Sequence, residues 1–156
     1  MKKLLLILLL FPLLSFSQDK NEIDFSTRIG FIKEMKTRFK DETSLKFGNL
    51  KGNSLKFLNF SDEKILELKK IFKIQVEQLI QKFDAFTSSE KEKELEELSN
   101  LMYSNEIETR KLFDDKQLEL YLKNFVVVEN DKTKPMNIVY LCIFISDEYL
   151  KNYKVD

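Results

Sequence analysis

The residues best equipped for chemistry in this chain are its carboxylates. Asp114 and Asp115 are adjacent, and Glu92, Glu94, Glu96 and Glu97 crowd one short run. A carboxylate pair can serve general acid–base catalysis, and clustered glutamates can ligate a hard cation through oxygen. A plainer explanation covers both: each stretch opens a helix, where acids suit the positive end of the dipole. Cys142 is the only cysteine, so no intramolecular disulfide can form. It sits in "NIVYLCIFIS", among large apolar residues, and reads as a small buried hydrophobe rather than a nucleophile. The chain has no histidine, which removes the usual general base at neutral pH and the commonest zinc ligand. There is no nucleophile–base pair, no glycine-rich phosphate loop and no metal-ligand spacing. The expectation is no enzyme, no metal and no cofactor.

The N-terminus reads "MKKLLLILLLFPLLSFSQ". Two lysines, an apolar run from Leu4 to Leu14 and small residues at Ser15 and Ser17 have the layout of a secretory signal peptide, with cleavage between Ser17 and Gln18. The apolar run is shorter than the roughly 20 residues that span a bilayer, so no stable membrane insertion is expected after cleavage. A periplasmic or secreted location follows. Cleavage leaves residues 18–156, enough for a single domain with a core of its own. Cleavage removes Lys2 and Lys3 and no acid, so the mature chain stays close to neutral and no nucleic-acid partner is implied. Three glycines, two prolines and a charged third of the chain argue for long solvated helices.

The periodicity predicts a mainly α fold of three to four helices. Phe25, Ile29, Ile32, Met35 and Phe39 recur at steps of three and four, which places a helix over Glu22 to Lys40. Residues 44–58 contain Gly48 and Gly52 beside Asn49 and Asn53, and read as a short hairpin or an irregular loop. From Ser61 to about Phe86, Ile65, Leu68, Phe72, Val76, Leu79 and Phe83 form one apolar stripe. A further helix starts near Ser89 and runs to about Phe113. Its stripe of Leu95, Leu98 and Met102 is interrupted by Asn105, Glu106 and Thr109, which suggests a shallow or wet seam. Asp114 caps a shorter helix carrying Leu118, Tyr121, Leu122 and Phe125. The apolar tail from about 125 is expected to differ. "FVVV" and "IVYLCIFI", separated by a turn-forming stretch with Pro135, read as a C-terminal β-hairpin, with a buried helix as the rival. Ser146 to Tyr153 adds a last helical turn.

Two helix starts share one layout. "NFSDEKILELKKIF" begins at Asn59, and "LFDDKQLELYLKNF" at Leu112. Each has an apolar residue, a capping oxygen, acids in the first turn, then the stripe, an arrangement in which the apolar residue packs back as a staple. "FSDEK" (Phe60, Ser61, Asp62, Lys64) and "FDDKQ" (Phe113, Asp114, Gln117) resemble degenerate copies of the LTxxQ motif of the Spy and CpxP family of periplasmic stress proteins. Only Gln117 keeps the glutamine, and the tail after Phe125 has no counterpart in that pattern. The resemblance covers roughly Glu22 to Phe125. It implies a thin helical hairpin with a curved, partly apolar cradle, and ATP-independent chaperone-like or stress-sensing binding of other proteins in the periplasm. It leaves homodimerisation open. Arg28, Lys36, Arg38, Phe39 and Lys40 are the candidate protein-binding surface on this view. The alternative is a dedicated interaction module or accessory subunit of an envelope complex with one specific partner.

Overall fold

A computed structural model describes Ile23 and residues 25–152 of the 156-residue chain. The signal-peptide reading, its Ser17–Gln18 cleavage site and the expected start of the first helix at Glu22 lie outside the described residues. Among the described residues seven α-helices follow one another: α1 (Phe25–Phe39), α2 (Thr43–Ser54), α3 (Asp62–Ser89), α4 (Glu92–Arg110), α5 (Asp115–Asn130), α6 (Pro135–Ile143) and α7 (Asp147–Asn152). Short 3-10 turns at Lys40–Glu42 and Lys56–Leu58 flank α2.

The long helix α3 is the spine. Ile65, Leu68, Phe72, Val76, Leu79 and Phe83 are buried along it, with Gln75 the one polar member of the stripe. Helix α2 packs along α3 more extensively than any other element, and α4 returns along α3 as its second neighbour. α6 joins α5 to α1 and α2. One hydrophobic cluster runs from Ile32 to Tyr149 and holds the described residues together.

No strand occurs among the described residues, which corrects both hairpin expectations. Residues 44–58 are not a hairpin but α2 and a 3-10 turn. The glycines that suggested turns serve close approach instead. Neither adopts positive φ. A Cβ on Gly48 would lie 2.8 Å from the backbone nitrogen of Lys73, and one on Gly52 would lie 2.5 Å from Lys69 Cγ. Their spacing of four puts both on one helical face, so α2 can press its backbone onto α3. The turn falls later, at Asn59, which takes the left-handed conformation (φ 58°) that asparagine tolerates.

The C-terminal β-hairpin is likewise replaced by helix. "FVVV" completes α5: Tyr121, Phe125 and Val128 are buried at steps of four and three, while Val126 and Val127 face outward, Val127 64 % exposed. That is a period near 3.6 rather than 2. "IVYLCIFI" belongs mostly to α6, which starts with Pro135 in its first turn, a position where the missing N–H has no partner to lose. Residues 140–145, the last turn of α6 and the two residues after it, are all buried, while Met136 and Ile138 earlier in the helix are exposed. β-branched content misled because a short buried run reads alike in either conformation. At Phe144 the chain becomes extended (φ −117°, ψ 158°) before α7 begins.

Candidate functional site

The two motif copies meet in space. Ser61 caps α3 and accepts a hydrogen bond from the Lys64 backbone N–H at 3.1 Å. Asp62 lies in the first turn of α3, and the Lys64 ammonium donates to Glu67 at 3.0 Å. Asp114 caps α5 with the full reciprocal pair: it accepts from the Gln117 N–H at 2.8 Å, and Gln117 Oε1 accepts from the Asp114 N–H at 3.1 Å. The two motif phenylalanines, Phe60 and Phe113, pack on each other with ring centroids 5.9 Å apart. Phe113 continues to Tyr121 at 5.1 Å, so both helix starts feed one aromatic cluster with Phe125, Tyr140 and Phe144.

The residues proposed from sequence as a basic binding surface do not stay together. Lys36 pairs with Asp84 and lies over the Phe83 ring. Arg38 is exposed and pairs with Glu34 at 3.0 Å, one turn away. Phe39 is half-buried against the core, and Lys40 is exposed with φ 46°. Arg28 is 1 % exposed and turns inward. Its Nη1 donates to the carbonyls of Leu141 (2.6 Å) and Phe144 (2.8 Å), at the end of α6. There the final carbonyls of a helix lack intrahelical donors and carry the negative end of its dipole.

Arg28 is thereby one member of a buried polar cluster that fastens the tail to the helical body. Glu106, 2 % exposed, stands at its centre. One carboxylate oxygen accepts from the Tyr121 hydroxyl at 2.5 Å and from Arg110 Nε at 2.9 Å. The other accepts from the backbone N–H of Ile145 at 3.2 Å. Arg110 also donates through Nη2 to the Ile145 carbonyl at 2.8 Å, and through Nη1 to Asp147. Both backbone groups of Ile145 are therefore held by side chains of α4. Burial works against the charge on Arg110, but Glu106 and Asp147 outweigh it and hold the guanidinium more firmly protonated than usual. Burial drives the Tyr121 hydroxyl well above its ordinary range, with Glu106 adding to the effect. Tyr121 therefore acts as a donor.

Lys51 reaches the same region from α2. It is 5 % exposed and donates to Gln75 Oε1 at 3.3 Å. Its ammonium lies 4.6 Å from the Phe72 ring centroid and 5.4 Å from that of Phe144. Aromatic faces attract a cation in this geometry. Burial nevertheless lowers its pKa from 10.5 to about 8, a shift that Glu106 opposes. A cavity of about 30 Å³ lies beside it, lined by Arg28, Lys51, Gln75, Asn105, Glu106 and Cys142 among others. That is room for one or two waters, far below the roughly 300 Å³ of a small-molecule site.

Sequence reasoning did not assign Lys51, Gln75, Arg110 or Tyr121 to any site. It did notice the polar interruption at Asn105, Glu106 and Thr109, but attached it to an incompletely packed surface. Glu106 and Thr109 are buried instead, and Thr109 donates to the Asn105 carbonyl at 2.7 Å. The signal was the spacing of Glu106 and Arg110, one helical turn apart on a face otherwise apolar. Of the acidic run that could have held a cation, Glu97 is drawn into ion pairs, with Lys82 at 2.5 Å and Lys93 at 3.8 Å. No helix among the described residues is long and apolar enough to cross a membrane. No family model, curated protein or solved structure matches the chain.

Proposed function

We propose that this chain is an exported module that binds other proteins, and that it serves one dedicated polypeptide partner rather than acting as an open-faced chaperone. Export rests on the signal-peptide layout of residues 1–17, and protein binding on the two motif copies that resemble the LTxxQ family. The choice of a single partner is carried by one observation: the seating of the tail. A chaperone cradle needs its apolar face open to clients. Here Leu141, Phe144 and Ile145 are buried against that body and pinned by Arg28, Glu106 and Arg110. A closed and internally hydrogen-bonded body presents a fixed surface, and a fixed surface discriminates between partners through shape and unpaired polar groups.

The test has two arms. Immobilised mature protein exposed to an envelope extract is expected to retain one protein in stoichiometric amount. Light scattering from an unrelated aggregating protein is expected to be unchanged by an equimolar addition of the mature chain. Strong suppression of that scattering, with many weakly held clients and no stoichiometric one, would restore the chaperone reading.

A further inference from the structure

We infer that the groove holding Leu141–Asp147 is itself the partner site, and that the chain's own tail occupies it as an internal ligand. The inference rests on the proposed function above and specifies its partner chemistry: a polypeptide segment whose chain leaves a helix at an extended aromatic residue, with a branched aliphatic residue directly after it and a carboxylate three positions after the aromatic.

The contacts address the tail as a receptor addresses a peptide. Phe144 is extended, and its wholly buried ring packs on Tyr121 and Tyr140 beneath the Lys51 ammonium. The next residue, Ile145, has its N–H bound by Glu106 and its C=O bound by Arg110. Those two bonds are the pair that a neighbouring strand would make, supplied here by side chains one helical turn apart. Arg28 adds the carbonyls of Leu141 and Phe144. In strand-like peptide recognition, main-chain hydrogen bonds supply affinity and pockets for alternate side chains supply specificity. Asp147 supplies the charge complement, since it meets Arg110 from a half-exposed position at the rim.

Stability alone does not ask for this arrangement. Buried ion pairs are often no better than well-packed apolar residues of the same volume, and their best-attested value is in fixing register. The glycine-backed seam of α2 on α3 is mostly apolar, and its one buried polar link, Lys51 to Gln75, joins two side chains rather than a side chain to backbone. Three charged side chains, Arg28 and Glu106 buried and Arg110 partly so, aimed at the backbone of residues 141–145 select for a main chain in one register, whichever chain supplies it. The tail holds the site at the high effective concentration of a tethered ligand, so a partner's apparent affinity is reduced by the fraction of molecules with the groove open.

The test uses the full mature chain and a fluorescent synthetic peptide with the sequence of residues 139–151. Asp147→Lys breaks the rim ion pair at an exposed position and leaves the apolar contacts in place. This variant is expected to bind the peptide about fivefold to tenfold more tightly than the unaltered chain, because its own tail competes less well. A peptide N-methylated at the isoleucine that follows phenylalanine loses the Glu106 bond and is expected to bind about tenfold more weakly. A scrambled peptide is expected not to bind. Circular dichroism and light-scattering mass verify that the variant is folded and monomeric. Failure of a folded, monomeric D147K chain to bind the peptide overturns the inference, as does equal binding of the scrambled peptide. A D147K chain that becomes a stable dimer and refuses peptide has its groove filled by a second copy's tail, which also overturns it. Capture of a stoichiometric partner alongside any of these failures would leave the functional reading standing and move its site elsewhere.

Discussion

The seam between α2 and α3 and the seam between the tail and the body hold one core together by opposite means. In the first, Gly48 and Gly52 let two backbones approach closely, and the buried residues around them are mostly apolar. In the second, buried Arg28 and Glu106 and the partly buried Arg110 each place hydrogen bonds on the backbone of residues 141–145. The first seam is tolerant in chemistry and exacting in volume. The second is exacting in charge and register. The difference matters for stability, because an ionised group inside a protein is stable only while its partners are present.

The largest expected effect is at Glu106. Glu106→Ala leaves Arg110, Tyr121 and the Ile145 N–H without their shared acceptor, and is expected to cost about 3–5 kcal/mol in urea unfolding. Glu106→Gln retains acceptor capacity on one oxygen and is expected to lose less. A loss below about 1 kcal/mol for Glu106→Ala would mean that water replaces the carboxylate readily, and the contrast between the two seams would disappear.

Lys51 sharpens the contrast through pH. Its folded pKa of about 8 lies below the 10.5 of an unhindered lysine, so the unfolded chain binds more protons between these values. Stability from this group therefore rises with pH across that window, by about 2 kcal/mol between pH 7 and pH 10. Tyr121 and Tyr140 act in the other direction. Burial raises both above the ordinary value of 10, so their contribution is lost as pH climbs beyond 10. The expected profile rises from pH 8 and turns over near pH 10. Lys51→Met is expected to flatten the rising limb and to match or exceed the parent in stability at pH 7, where the buried charge is most costly. A Lys51→Met profile that still rises would remove Lys51 as the cause.

The glycine seam makes the complementary prediction. Gly30 and Gly48 both lie inside helices, where alanine is favoured by about 1 kcal/mol on propensity alone. Nothing lies within 4 Å of a Cβ added at Gly30, whereas one at Gly48 would meet the Lys73 backbone at 2.8 Å. Gly30→Ala is expected to stabilise by about 0.5–1 kcal/mol. Gly48→Ala is expected to destabilise by about 1–3 kcal/mol, since the obstacle is backbone and cannot swing aside. Chemical denaturation of the two variants checks the pair. Opposite signs identify a volume-limited seam, and a gain at both positions would show that α2 can lift off α3 at little cost.

These seams explain what could be read in advance. The helical class, the α3 stripe and the two helix starts were legible because caps and 3.6-residue spacing are local signals, as at Ser61 with Ile65, Leu68 and Phe72. The hairpins expected at 44–58 and in the tail were not, because the deciding information is non-local. Gly48 carries no mark that separates a turn glycine from one pressed against Lys73. Residues 138–145 are apolar at every position, and 140–145 are all buried, which erases the periodicity that would have identified α6. The buried polar cluster was half legible. Glu106 interrupted an apolar stripe and Arg110 stood one turn on, but their partners are backbone groups of Ile145, nearly forty residues away. Backbone partners leave no trace in residue types. Arg28 failed for the same reason: its targets are carbonyls, so in the sequence it looks like any surface cation.

The smallest effects concern the two helix starts, and they test whether the repeat is functional at the level of single bonds. Asp114→Ala removes the cap of α5 and is expected to cost about 1 kcal/mol, a fall of about 3 °C in Tm. Ser61→Ala at α3 is expected to cost about 0.5–1 kcal/mol. Gln117→Ala breaks only the return bond to the Asp114 N–H and is expected to cost a few tenths of a kcal/mol. At the first start that return bond is absent, because Lys64 turns outward to Glu67. Lys64→Gln supplies the missing side chain and is expected to raise Tm slightly, by completing in α3 the box that α5 already has. A null result for Lys64→Gln beside a measurable loss for Gln117→Ala would show that the copies share a capping oxygen and the Phe60–Phe113 contact, and that only the second uses its glutamine.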